Sequence, residues 1–484
     1  MDPERRQTLL EWLVVGLAAT VRIAGAFLRR PWHDEYFTAW VAGLPWRDIV
    51  PALRLDSGPP LPYVATKLVA LTGLPAVGAA RAVAVVAGTL AVLLAMRAAR
   101  RSLGGTAALA AGLLVALHPL AVAWSCEGRA YALLLLAVAW AWERLESLAA
   151  GGRGGLGLAT ALALACWSHA FGLVLAVAVA AAALMIAGEA RIRALVGIAV
   201  GVATSVPWVG VAAGQPAAAV AWMTRAWEAM PPLDRALAPV RFLSPLAPFG
   251  HQVDLPSAPL GVQIVGGLLC GLLLAGASRA LRPLALFALP ALGLTTLAIA
   301  GLPAFYPGRG EALFLLPFLA LLAAGVARHR LWALAAGVLI AGAAAMTAVA
   351  LLAWHRQPPR GEERLAAAVR TAMPEGGTVV VGGYWRLGLV HHLGADAARF
   401  DVVSVPAGAA RHPGWYDEDV EPPRRSEVDA LAVDLARDRR PVAIVVTPGI
   451  GTAPPLHALA DSLGLARVAE VPGGELYLPR RSAP

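Results

Sequence analysis

Apolar residues run along this chain in stretches about as long as a bilayer is thick. A helix that crosses the hydrocarbon core needs about 20 consecutive, mostly apolar residues. The first such run is 9–28. Others fall at 79–97, 104–122, 130–147, 155–168, 169–188, 194–212, 258–277, 282–302, 311–327 and 331–354, which predicts eleven spans. The 155–188 stretch is too long for one helix, and the polar pair Ser168-His169 divides it. Run 9–28 lacks a small-residue cleavage site followed by polar sequence, so it predicts an uncleaved helix rather than a signal peptide.

The short loops between runs alternate in charge. Arg5-Arg6, Arg97/Arg100/Arg101, Arg144/Arg153, Arg191/Arg193, Arg279/Arg282 and Arg328/Arg330 all fall on one side of the predicted bundle. By the positive-inside rule that side is cytoplasmic, and so is the N-terminus. The outer side then holds a long first loop at 29–78, loops at 118–130 and 213–257, a turn at 303–310 and the C-terminal segment. After Trp354 the pattern changes: residues 355–484 hold 15 Arg and 16 acidic residues and no spanning run. The β-branched runs 378–381 and 442–446 read as buried strands, while 361–373, 426–438 and 455–464 have helical periodicity. The prediction is a polytopic α-helical membrane domain over 1–354, followed by a small extracytoplasmic α/β domain over 355–484.

Composition supports this. Of 484 residues, 58% are hydrophobic and 15% charged, against about 45–50% and about 25% in soluble domains. That excludes a disulfide scaffold, a disordered tail and a coiled coil. Cys126, Cys166 and Cys270 are far apart and match no zinc spacing, and there is no P-loop. The formal net charge is +9, and cytoplasmic segments hold 13 Arg against 6 acidic residues. Most of the excess therefore specifies orientation, and no nucleic-acid partner is expected.

Several polar clusters remain on the outer side. His33-Asp34-Glu35 follows the first run. It reads either as a general base or cation ligand facing an outer cavity, or as acidic residues favoured in a first helical turn. Further along the loop, Asp56-Ser57-Gly58-Pro59-Pro60 leads into an apolar stretch at 61–74 that is too short to span. It predicts an interfacial helix carrying Tyr63 and Lys67, the one Lys of the chain, which reads as a snorkelling side chain ahead of a substrate contact. Glu127, Arg129 and Tyr131 sit in a tight loop close to membrane depth, where ionisable groups are functional candidates or mutual pairs. Arg22 lies inside the first run and either snorkels or faces a polar cavity. His169 reads as a structural histidine ahead of a ligand. Arg309 reads either as an exposed turn residue or as a phosphate contact.

In this order and spacing the clusters resemble the GT-C superfamily of polyprenyl-phosphate-sugar glycosyltransferases. Within it, the chain is similar to the branch of protein O-mannosyltransferases, lipid A aminoarabinose transferases and Rgt-type lipopolysaccharide transferases. His33-Asp34-Glu35 resembles the acidic motif after the family's first helix, and Asp56 through Tyr63 its Pro-Pro-Leu-Tyr stretch. Glu127-Gly128-Arg129-Ala130-Tyr131 resembles its Glu-x-Arg-x-Tyr motif, and Arg309 ahead of Pro317 its late Arg…Pro element. The likeness covers about 9–354. Gly58 replaces the Lys or His usual before Pro-Pro, and Gly310 replaces the aromatic residue that commonly follows the late Arg.

The resemblance implies a GT-C fold in a bacterial inner (plasma) membrane. It implies transfer of a sugar from a polyprenyl-phosphate donor to an acceptor hydroxyl on the outer face, with inversion. Asp34 would act as general base with Glu35 beside it. Arg129 and Arg309 would bind the donor phosphate, with Lys67 and His169 behind them. His33, Asp56, Tyr63, Glu127 and Tyr131 would line the substrate cavity. No metal and no cofactor are implied. The acceptor stays open among a lipid, a glycan and a protein, and membrane lipids surround the chain. Two rivals stand beside this reading: a transporter or flippase of a lipid-linked saccharide, and a family member that has lost its chemistry. A transporter predicts inverted repeats and ionisable residues at the midplane; the ionisable clusters here lie at helix ends.

Overall fold

The computed structural model describes residues 2–55, 58–215, 280–299, 310–324, 330–411, 423–438, 440–447 and 451–479, with isolated positions between 228 and 274. Asp56, Arg309 and most of the 213–257 loop lie outside the described residues. The chain divides into two compact units. One draws on Met1–Arg29, Gly58–Gly214 and Met223–Gln357, the other on Arg30–Ser57, Gln215–Trp222 and Pro358–Pro484.

The first unit is helical. Its described helices are α1 (Pro3–Leu28), α4 (Leu61–Ala70), α5 (Ala76–Leu103), α6 (Gly105–Leu117), α7 (Pro119–Cys126), α8 (Tyr131–Ala149), α9 (Gly155–Ser168), α10 (Gly172–Ala183), α11 (Gly188–Ala203), α12 (Val206–Ala212), α13 (Leu281–Ile299), α14 (Leu315–Ala324) and α15 (Arg330–His355). Ala and Leu fill the shared core, while Phe27, Leu156 and Val177 stand exposed. An apolar exterior around an apolar interior is what a helix bundle in hydrocarbon requires. Small residues let the backbones approach: a methyl group on Gly172 would sit 2.5 Å from the backbone of Ala165 and Cys166.

Among the described residues, α1, α5 and α15 are long and apolar enough to cross a membrane alone. Counting each bent pair as one span raises the number to five. The expected break at Ser168-His169 is present, between α9 and α10. Two expected features differ. The run 104–122 is not one straight helix: α6 and α7 bend by 57°, and α7 continues to Cys126 into the expected 118–130 loop. The run 194–212 bends by 43° between α11 and α12.

The first bend has a traceable cause. Pro119 has no N–H to give the carbonyl of Val115, and the N–H of Leu120 turns instead to His118 Nδ1 at 3.2 Å. Two carbonyls of α6 thereby lose their helical donors. Arg22, fully buried on α1, supplies replacements: Nη2 donates to Val115 O at 3.2 Å and Nη1 to Ala116 O at 3.1 Å. The hydroxyl of Thr347 on α15 donates to Leu117 O at 2.6 Å. Arg22 therefore does not snorkel; its charge serves a broken helix.

The second unit carries α2 (His33–Gly43) and α3 (Trp46–Leu53), so the expected first outer loop is largely helical. Its remainder is a five-stranded sheet in the order β2-β1-β3-β5-β4. The strands are β1 (Gly377–Gly382), β2 (Phe400–Val405), β3 (Val442–Val446), β4 (Leu465–Val471) and β5 (Gly474–Pro479). β1 runs parallel to β2 and β3; β5 is antiparallel to β3 and β4. Helices α16 (Gly361–Ala372) and α17 (Arg386–Leu393) pack with Val379 and Val381 on one face. Helices α18 (Arg425–Arg437) and α19 (Ala453–Ser462) pack with Val380 and Ile444 on the other. Successive strand residues point to opposite faces, which is why unbroken β-branched runs become strands covered on both sides.

Candidate functional site

In the helical unit, charged groups gather where α1 ends. The last carbonyls of a helix have no partner within it. Here Arg81 of α5 supplies one: its Nη1 donates to Ala26 O at 2.6 Å and Arg29 O at 2.7 Å. Arg29 in turn donates to Glu127 Oε2 at 3.0 Å, and both side chains are buried. The Arg29 guanidinium also lies 5.4 Å from the ring centre of Trp354 on α15. Glu127 is thus paired with Arg29, from the end of the first helix.

Beyond Glu127 the chain turns tightly, with the Arg129 N–H donating to Glu127 O at 2.7 Å, and α8 begins at Tyr131. Arg129 is half-buried and Tyr131 buried. The Tyr131 ring lies 6.1 Å from Trp124 and 5.7 Å from His169. His169 stands between α9 and α10, where its Nδ1 accepts the N–H of Phe171 at 3.2 Å and so tethers the start of α10. Tyr63 is buried on α4, and Lys67, one turn later, is half-buried.

In the second unit, α2 begins with the acidic motif. Trp32, in extended backbone, precedes the helix, and His33, Asp34 and Glu35 form its first turn. Asp34 is 1% exposed and Glu35 0%, an arrangement surface helix starts do not need. The helix dipole favours carboxylates there. Thr38 Oγ1 donates to Asp34 O at 3.0 Å along the same face. The turn is held from the α/β side. The Tyr36 hydroxyl donates to Pro31 O at 3.1 Å and meets His392 Nε2 at 2.8 Å, which requires the ring N–H of His392 to point at the tyrosine. Burial, aided by His391, pushes the His392 pKa down to about 4, so the ring is neutral at pH 7. Burial also drives the Tyr36 phenol well above its usual range, with Glu362 adding to it. Arg30 and Glu363 pair at 2.7 Å on the same side.

The structure thus brings Glu127, Arg129, Tyr131 and His169 into one unit with Tyr63 and Lys67, and groups His33, Asp34 and Glu35 in the other. Among the described residues no group of three His, Cys, Asp or Glu could hold a metal ion. Sequence reasoning missed Arg29, Arg81, Tyr36 and His392. The first two carried a signal: arginines at the ends of apolar runs away from the basic loops are costly unless partnered.

Residues 56–210 match the model of a family described as dolichyl-phosphate-mannose-protein mannosyltransferase. The matched segment contains Lys67, Glu127, Arg129, Tyr131 and His169 but not His33–Glu35 or Arg309. No curated protein matches in sequence. In fold the chain is similar to ArnT from Cupriavidus metallidurans bound to undecaprenyl phosphate, with a TM-score of 0.64 at 15% identity, covering 97% of this chain and 98% of that one. Its apo form gives 0.54 at 18% identity, covering 96% and 97%. The oligosaccharyltransferase of Archaeoglobus fulgidus tethered with an acceptor peptide gives 0.51 at 11% identity, covering 94% and 71%. The resemblance to the GT-C superfamily read from the sequence is borne out by these matches.

Proposed function

We propose that this chain, with the fold of GT-C glycosyltransferases, transfers a sugar from a polyprenyl-phosphate donor to an acceptor hydroxyl on the outer face of a bacterial inner membrane. The observation that carries the reading is the first turn of α2, where two adjacent carboxylates are withdrawn from water in a chain of otherwise sparse charge. ArnT, the fold relative, was solved with undecaprenyl phosphate, which supports the donor class.

Asp34 takes the proton of the acceptor hydroxyl, and Glu35 sits beside it to shape the local field. The acceptor oxygen attacks the anomeric carbon as the bond to the phosphate oxygen breaks, so the anomeric centre inverts. The lipid phosphate leaves with the additional negative charge. Arg129 and Arg309 stabilise that charge as it develops, with Lys67 and His169 behind them. His33, Asp56, Tyr63, Glu127 and Tyr131 are the remaining residues assigned to substrate contact in this reading. Eleven spans hold this site at the outer surface, with the N-terminus cytoplasmic and 355–484 as an outer domain. No metal is involved.

The test is Asp34→Asn in the purified full chain. The reading expects transfer to fall about 10²- to 10⁴-fold while the thermal unfolding profile stays that of wild type. Undiminished transfer would overturn it. Arg309→Ala and Arg129→Ala are expected to weaken donor binding; unchanged donor affinity removes them from the phosphate site.

A further inference from the structure

The helical unit holds a second cationic site at its arginine-rich end, apart from the groups assigned to transfer. A cavity of about 520 Å³ opens where α1 starts and where α5 and α8 end, lined by Thr8, Glu11, Trp12, Leu93, Arg97, Arg100, Arg101, Glu143 and Arg144. This volume falls in the range of small-molecule sites. Four arginines face two glutamates, and the internal pairing is incomplete. Arg100 pairs with Glu11 at 3.1 Å. Glu143, almost fully buried, is shared by Arg101 and Arg144. Arg97 has no ion-pair partner among the described residues. Among the described residues, the four arginines lining the cavity outnumber its two glutamates by two.

The wall beside it is apolar and exposed. Val86, Leu90, Leu93 and Arg97 follow one another at helical spacing along one face of α5, passing from hydrocarbon to cation. Val86 is 59% exposed and Leu90 42%. Trp12, which lines the cavity, is 56% exposed, with Leu9 and Leu13 exposed beside it on α1. A soluble anion has no use for this strip, whereas acyl chains do. Basic pockets between membrane helices are suited to anionic head groups, and guanidinium groups match phosphate oxygens in pairs.

We infer that this cavity binds the phosphate head group of an anionic phospholipid, with its acyl chains against the exposed faces of α1 and α5. The site goes beyond the transfer reaction and does not depend on it.

The experiment is native mass spectrometry of the full chain in detergent, titrated with phosphatidic acid, with phosphatidylcholine of the same chains, and with inorganic phosphate. Phosphatidic acid is expected to bind at about one per chain, in preference to phosphatidylcholine. Arg97→Gln is expected to weaken it about fivefold, the worth of one arginine near an anionic lipid surface. Trp12→Ala is expected to weaken the lipid and leave inorganic phosphate unaffected. Arg193→Gln, an exposed arginine outside the cavity, is expected to change nothing. Equal binding of the two lipids, an equal loss in Arg193→Gln, or inorganic phosphate that displaces the lipid at matched concentration would each overturn the inference.

Discussion

The broken helix α6–α7 allows a quantitative test of what the buried Arg22 does. Its guanidinium reaches two carbonyls, Val115 O and Ala116 O, that Pro119 and His118 leave without helical donors. A buried polar group left unsatisfied costs about 1–3 kcal/mol, so Arg22→Met exposes about 2–6 kcal/mol of lost hydrogen bonding. Removing a buried cation returns part of that, since a charge in the interior carries its own desolvation cost. A net loss of about 1–3 kcal/mol is expected, read as the midpoint of unfolding in mixed detergent. The more telling variant is Pro119→Ala. In the wild-type background it opposes the 57° bend and destabilises. In the Arg22→Met background it gives Val115 O a donor again and recovers stability. The two substitutions should therefore couple favourably by more than about 1 kcal/mol. Additivity within about 0.5 kcal/mol would refute the assignment of Arg22 to the orphaned carbonyls.

Other outcomes follow from the same geometry. Glu127→Gln removes the carboxylate charge that Arg29 meets at 3.0 Å inside the protein and should destabilise the fold in the same unfolding measurement, while an unchanged midpoint would show that the pair carries no load. Gly172→Ala forces a methyl group to 2.5 Å from the backbone of α9; overpacking of this kind costs about 1–3 kcal/mol, and a variant as stable as wild type would contradict the crossing geometry. His392 has a folded pKa of about 4, below its ordinary 6.5. As pH falls through that window the unfolded chain takes up the proton first, so its contribution is complete above about 6.5, declines toward 4 and then levels off. The stability difference between wild type and His392→Gln should follow that profile, with His391, Glu363, Arg30 and Arg370 as the charged neighbours; a difference constant from pH 4 to 7 would discard the effect.

Much of the architecture was legible because it repeats a simple signal. The runs at 9–28, 79–97 and 331–354 became α1, α5 and α15, since hydrocarbon thickness sets their length. Runs 378–381 and 442–446 became the central strands β1 and β3, which are covered on both faces. β2 was missed because Asp401 and Ser404 interrupt its apolar character at the sheet edge. The β4–β5 hairpin was missed too, although Pro472-Gly473-Gly474 marks its turn. In the candidate site, sequence found acids and arginines but not their partners. Glu127 lies 98 residues from Arg29, and no local spacing encodes that pairing. The bend at His118-Pro119 was hidden because hydropathy counts apolar residues and ignores a missing N–H.

The contact between Tyr36 and His392 has a consequence for how the chain is made. The two residues are 356 apart. At about 5–20 residues per second of synthesis, helix α2 waits roughly 20–70 s for the surface that will hold it. Through that interval Tyr36 is without its His392 partner, although α2 emerges early. A chain stopped after α15 would retain every apolar run and still lose that contact. The C-terminal segment thus supplies a contact that α2 cannot make while the growing chain is still short of His392.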